Sequence, residues 1–133
     1  MAVSEPHAHS VLVVDDSDDI RDALVMALTK TGFAVVAAGS GYEALDTFQT
    51  GFRPCVVLLD VCMPQMDGWE FMQRQRSDWR LCTVPTIVMT GVASHDPRCL
   101  EMPIVRFLQK PYSGEQVLAA VSAELARPAH HSA

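Results

Sequence analysis

The chain carries no cluster of basic residues. Its 10 Lys and Arg are scattered among 16 Asp and Glu, for a formal net charge of −6. That balance argues against a surface that contacts nucleic acid directly. No apolar run approaches the ~20 residues that a membrane-spanning helix requires, and the opening MAVSEPHAHS lacks the apolar stretch of a secretory signal. These absences predict a cytoplasmic protein without membrane insertion. Cys55, Cys62, Cys82 and Cys99 form no Cys-x-x-Cys pair and no Cys/His cluster with zinc spacing. They read as buried or half-buried free thiols in a reducing compartment. Internal repeats, long linkers and any segment suited to an output domain are also missing.

What the chain does have is a regular alternation of strand and helix signals over a length that suits one domain with a full core. Apolar, β-branched runs predict strands at about residues 11–15, 34–38, 55–59, 86–89 and 105–108. Ser17 can cap the first helix, with Asp18 and Asp19 favourable in its first turn. Ile20, Ala23, Leu24, Ala27 and Leu28 recur there at helical spacing, and Thr31-Gly32 ends the helix. Ser40-x-x-Glu43 has the pattern of a capping box, followed by a buried stripe of Ala44, Leu45 and Phe48. A third helix begins near Gln65 or Gly68 and runs to about Arg76. Ser113-x-x-Gln116 opens the last helix, whose expected buried face is Val117, Leu118, Val121 and Leu125. Five strand–helix units with short links predict an α/β fold, a doubly wound five-stranded parallel sheet with five helices. Residues 10–126 form the expected domain, with tails at 1–9 and 127–133. His7, His9, His130 and His131 read as tail residues.

The ends of the strand runs are more specific. VLVVDD ends at Asp15-Asp16, CVVLLD at Asp60, PTIVMT at Thr90 and IVRFLQK at Lys110. In an open parallel sheet, ligands bind beyond the carboxyl ends of the strands, so these groups are expected at one rim. Crowded carboxylates need a cation, and hard oxygen ligands favour Mg²⁺. A hydroxyl and an ammonium facing such a centre suit a phosphoryl group.

Together with the stretch DVCMPQMDG that starts at Asp60 and with Lys110-Pro111, this pattern resembles the receiver domain of two-component response regulators, from about Ser10 to Leu125. The resemblance implies a flavodoxin-like sheet of order 2-1-3-4-5. It also implies a signalling switch that accepts a phosphoryl group on Asp60 from a histidine kinase or histidine phosphotransfer protein, then controls a downstream protein target. Asp16 would be a direct Mg²⁺ ligand and Asp15 a ligand through water, with the backbone carbonyl of Cys62 as a further ligand. Thr90 and Lys110 would receive phosphoryl oxygens, the lysine aimed by a cis Lys-Pro bond. Thr90 and Phe107 would form the switch pair; the phenylalanine offers no phenol to hydrogen-bond a partner. Its catalysis would be confined to its own phosphotransfer and dephosphorylation.

One segment departs from the family. Between Thr90 and Lys110, Pro97 and Pro103 bracket only residues 98–102, and proline is tolerated in a first helical turn but not inside a helix. The fourth helix is therefore expected to be short or distorted, at about residues 94–100, on the face through which receivers usually signal or dimerise. Other classes fit less well. A haloacid-dehalogenase-type phosphatase would want Asp-x-Asp on the first strand and a cap domain. A flavodoxin would need a phosphate-binding loop where DDSDD would repel the phosphate. A docking receiver that is never phosphorylated would not need the complete acidic set. The domain could be free-standing, or the receiver of a hybrid kinase or larger regulator.

Overall fold

The computed structural model describes residues 9–60, 68–77, 84–90, 104–109 and 113–126. In chain order the elements are β1 (Ser10–Val14), α1 (Asp18–Lys30), β2 (Ala34–Ala38), α2 (Gly41–Gln49), β3 (Val56–Asp60), α3 (Gly68–Ser77), β4 (Thr86–Thr90), β5 (Ile104–Gln109) and α4 (Gly114–Leu125). The expected fourth helix at residues 94–100 lies outside the described residues, so α4 is the helix that the sequence placed last. Both tails beyond His9 and Ala126 also lie outside them.

All strand pairs are parallel, and the sheet order is β2-β1-β3-β4-β5. A parallel sheet covered on both faces calls for nearly continuous apolar strands. Accordingly, Val11 to Val14 of β1 and Val56 to Leu59 of β3 are fully buried. Alternate residues of each strand feed opposite layers. Leu12, Val14, Val57, Leu59 and Val88 join Ala44 and Phe48 of α2 and Phe71 of α3. Val11, Val13, Leu58, Ile87 and Met89 join Leu24 and Leu28 of α1 and Val117, Ala120 and Val121 of α4. Phe48 and Phe71 stack across the first layer at 6.1 Å between ring centres.

The helix starts follow the sequence signals, with one difference in detail. Ser17 accepts from the Ile20 N–H, and Ser113 and Gln116 form a complete reciprocal capping box. Ser40 accepts from the Glu43 N–H, but the Glu43 carboxylate reaches back to the Gly39 N–H at 2.6 Å rather than to that of Ser40. The expected box on α2 is therefore displaced by one residue. Gly32 and Gly51, at φ of +107° and +96°, follow α1 and α2 in the left-handed region, where a side chain would be strained.

Two burial expectations are corrected. Ala23 is exposed, because α1 turns Leu24 and Leu28 inward and leaves its neighbour at the boundary of the stripe. On α4 the innermost positions are Val117, Ala120, Val121 and Glu124, while Leu118 and Leu125 pack half-buried at the edge of the layer. Strand three begins one residue later than expected, at Val56, and takes in Asp60. The β4–β5 register shifts between Thr86 and Ile87, which pair with Ile104 and Arg106 respectively. Val105 is the extra residue at that irregularity, which the sequence did not signal.

Candidate functional site

Three strand ends finish in step. Val14 pairs with Leu59, Asp60 with Met89, and Thr90 with Gln109. The register therefore carries Asp15, Asp60 and the backbone of Thr90 to one rim of the sheet. Asp15 is fully buried and Asp60 is 3% exposed, whereas Asp16 lies exposed at the mouth. One carboxylate oxygen from each of Asp15, Asp16 and Asp60 lies within 4.8 Å of the others. Two buried carboxylates and a third beside them repel strongly where the local dielectric is low.

Local hydrogen bonds explain how Asp15 is held there. Its N–H donates to Ala38 O at 3.1 Å, which extends the β1–β2 ladder by one bond beyond the strand. Its Oδ1 accepts from the Ser17 N–H at 2.9 Å, and its carbonyl accepts from Arg21 Nη1 at 2.9 Å. Arg21 also pairs with Asp18 in the first turn of α1. Ser17 thus contributes twice: its side chain caps α1, and its N–H orients Asp15.

Of the residues that the sequence nominated, Asp15, Asp16 and Asp60 come together. Thr90 ends β4 next to them in register. Phe107 lies within β5, opposite Val88. Cys62, Lys110 and residues 63–67 of the MPQMDG motif lie outside the described residues, and the Gly68 that closes the motif opens α3. Sequence reasoning passed over Arg21. Its i,i+3 spacing from Asp18 was a visible signal, but its bond to the Asp15 carbonyl depends on how the chain turns after β1.

All three acids offer hard oxygen ligands, and neither His nor Cys belongs to the group. That donor chemistry fits Mg²⁺ better than a softer metal such as zinc. Among the described residues, no helix is long and apolar enough to cross a membrane.

Comparison with known proteins gives the fold its family. The response regulator receiver domain profile matches residues 11–122. The transcriptional regulatory protein CseB of Streptomyces avermitilis is 36% identical over 124 residues, which cover 92% of this chain and 51% of that protein. The chain spans about half the length of the curated relatives it matches. Among solved structures, the chemotaxis protein CheY4 of Vibrio cholerae superimposes with a TM-score of 0.83 at 30% identity, covering 88% of this chain and 98% of that one. The signal receiver domain of a histidine kinase from Syntrophus aciditrophicus gives 0.79 at 30% identity, covering 90% and 91%. With the sheet order, the acidic rim and a profile match over most of its length, the chain belongs to the response regulator receiver domain family of two-component systems.

Proposed function

We propose that this domain is a phosphoacceptor switch that takes a phosphoryl group onto Asp60 with Mg²⁺ and changes conformation to control a protein partner. The observation that carries the reading is the convergence of Asp15, Asp16 and Asp60, two of them buried, at the carboxyl rim of the sheet. Asp15, Asp16 and Asp60 would hold the ion, with the Cys62 carbonyl as a further ligand. When bound, Mg²⁺ supplies charge neutralisation for the three carboxylates and for the incoming phosphoryl oxygens.

A carboxylate oxygen of Asp60 attacks phosphorus, and a new O–P bond forms. The P–N bond of a donor phosphohistidine breaks, and the imidazole leaves with the electron pair and takes up a proton. Thr90 and Lys110 receive phosphoryl oxygens. Catalysis of this kind is mostly positioning and electrostatics. Later, a water oxygen adds to phosphorus, the bond to Asp60 breaks, and inorganic phosphate leaves. The acyl phosphate carries about −1.5 to −2 of charge where the ionised carboxylate carried about −1, and this added charge and bulk favour one of two packings around Thr90 and Phe107. A histidine kinase or phosphotransfer protein is the proposed donor, and the net charge of −6 supports a protein rather than nucleic acid as this domain's direct target. Residues 10–126 are the proposed functional unit, working in the cytoplasm. The chemistry is the same in a free-standing regulator and in a larger protein, and relatives twice as long support the second context.

Incubation with acetyl phosphate and Mg²⁺ tests the reading. The intact protein should gain one phosphoryl-sized adduct, and EDTA or Asp60→Asn should abolish it. Labelling that persists in Asp60→Asn would contradict the assignment.

A further inference from the structure

Arg21 stands outside the acidic trio, yet it grips the main chain that carries it. Its Nη1 donates to the Asp15 carbonyl at 2.9 Å, and its Nη2 pairs with the Asp18 carboxylate. The side chain is only 20% exposed, while that of Asp18 is 81% exposed. Nη1 also lies 3.1 Å from the point where a Cβ on residue 39 would stand, so Gly39 leaves the room that the guanidinium occupies. Asp15 is thereby fixed at its N–H by Ala38, at its carboxylate by Ser17 and at its carbonyl by Arg21. The peptide that follows that carbonyl is the one that leads to Asp16.

We propose that Arg21 is a positioning residue for the metal-holding acids. Its planar fork ties the Asp15 carbonyl to the first turn of α1, and so sets the attitude of the Asp15–Asp16 peptide that brings both carboxylates to Asp60. This inference rests on the reading of Asp15, Asp16 and Asp60 as the Mg²⁺ site. A purely electrostatic role would act with the opposite sign. A cation near the site competes with Mg²⁺, so its removal would strengthen binding, whereas loss of a positioning residue weakens it. Partners that orient metal ligands without touching the metal commonly affect affinity by about 10–100-fold.

The test titrates the full chain with Mg²⁺ alone, by calorimetry and by the Mg²⁺-induced rise in unfolding midpoint. The variants are Arg21→Ala, Arg21→Lys, Gly39→Ala and the Arg21→Ala/Gly39→Ala double. Arg21→Ala should bind Mg²⁺ roughly tenfold or more weakly. Arg21→Lys keeps the charge but not the fork, and should recover only part of the loss. Gly39→Ala places a methyl 3.1 Å from Nη1, close enough to push the guanidinium aside, without changing any charge. It should weaken binding in the wild-type background and add nothing to Arg21→Ala, since the two act through one contact.

A merely structural role would lower the metal-free midpoint and leave the affinity of the folded protein alone. Mg²⁺ affinity equal to or above wild type in Arg21→Ala would overturn the proposal, as would complete recovery in Arg21→Lys. Should Arg21→Ala fail to fold, Arg21→Lys and Gly39→Ala decide it: both weaker supports the role, both unchanged refutes it. If wild type itself shows no response to Mg²⁺, the metal reading falls and this inference falls with it. A response in wild type that is lost in Asp16→Ala but kept in Arg21→Ala removes only the role given to Arg21.

Discussion

Asp16 is the exposed member of a group whose other two carboxylates are buried, and that difference sets up the clearest residue-scale prediction. Without a cation, Asp16 contributes repulsion at under 4.8 Å, of the order of 1 kcal/mol for a partly solvated pair. Asp16→Ala should therefore raise the stability of the metal-free protein by about 1 kcal/mol while it weakens Mg²⁺ binding strongly. Chemical unfolding with EDTA and with Mg²⁺ measures both. Unchanged Mg²⁺ affinity in Asp16→Ala would contradict the ligand set. The acids were legible in the sequence because each ends an apolar run, so the strand pattern alone brings them to one rim. Arg21 was not, because its acceptor is a main-chain carbonyl and its room depends on Gly39, a residue on another loop. Gln75 was equally hidden. It is fully buried on α3, donating to the Val84 carbonyl at 3.0 Å and accepting from Thr86 Oγ1 at 3.3 Å, and the sequence does not reveal that α3 packs against the start of β4.

At the scale of elements, α1 depends on Ser17 for its cap and the site depends on α1 for Arg21. Ser17→Ala should cost about 1 kcal/mol through the lost cap. It should leave Mg²⁺ binding closer to wild type than Arg21→Ala does, since the bond to Asp15 comes from the Ser17 main chain. Gln75→Ala removes a partner from the carbonyl of half-buried Val84, just before β4, and from the buried Thr86 hydroxyl at its start, for a loss of about 1–3 kcal/mol. That end of the strand is opposite Thr90, so Mg²⁺ affinity should not change. A change would mean that the two ends of β4 are coupled. Strands were legible to within a residue because they are unbroken apolar runs. Helix faces were less so. Ala23 and Glu124 sit where one residue of rotation decides between core and solvent, and small or long amphipathic side chains do not declare which. The shift between β4 and β5 at Thr86 and Ile87 had no turn or glycine to announce it.

At the scale of the molecule, two apolar layers grip one sheet, and β1 and β3 at its centre serve both. Leu58 is fully buried beneath α1 and α4, so Leu58→Ala should destabilise the fold by about 2–5 kcal/mol, measurable by urea unfolding. The packed sheet holds three carboxylates together at its rim against their repulsion, and one of them, Asp60, is the proposed site of the bond to phosphorus. The most direct measurement traps that bond. After incubation with acetyl phosphate and Mg²⁺, borohydride reduces an acyl phosphate to an alcohol, and peptide sequencing by mass spectrometry then locates the altered side chain. One altered aspartate is expected, at position 60, dependent on Mg²⁺ and absent in Asp60→Asn. An alcohol at Asp15 or Asp16 instead, or none at any aspartate under conditions where the intact protein carries the adduct, would contradict it.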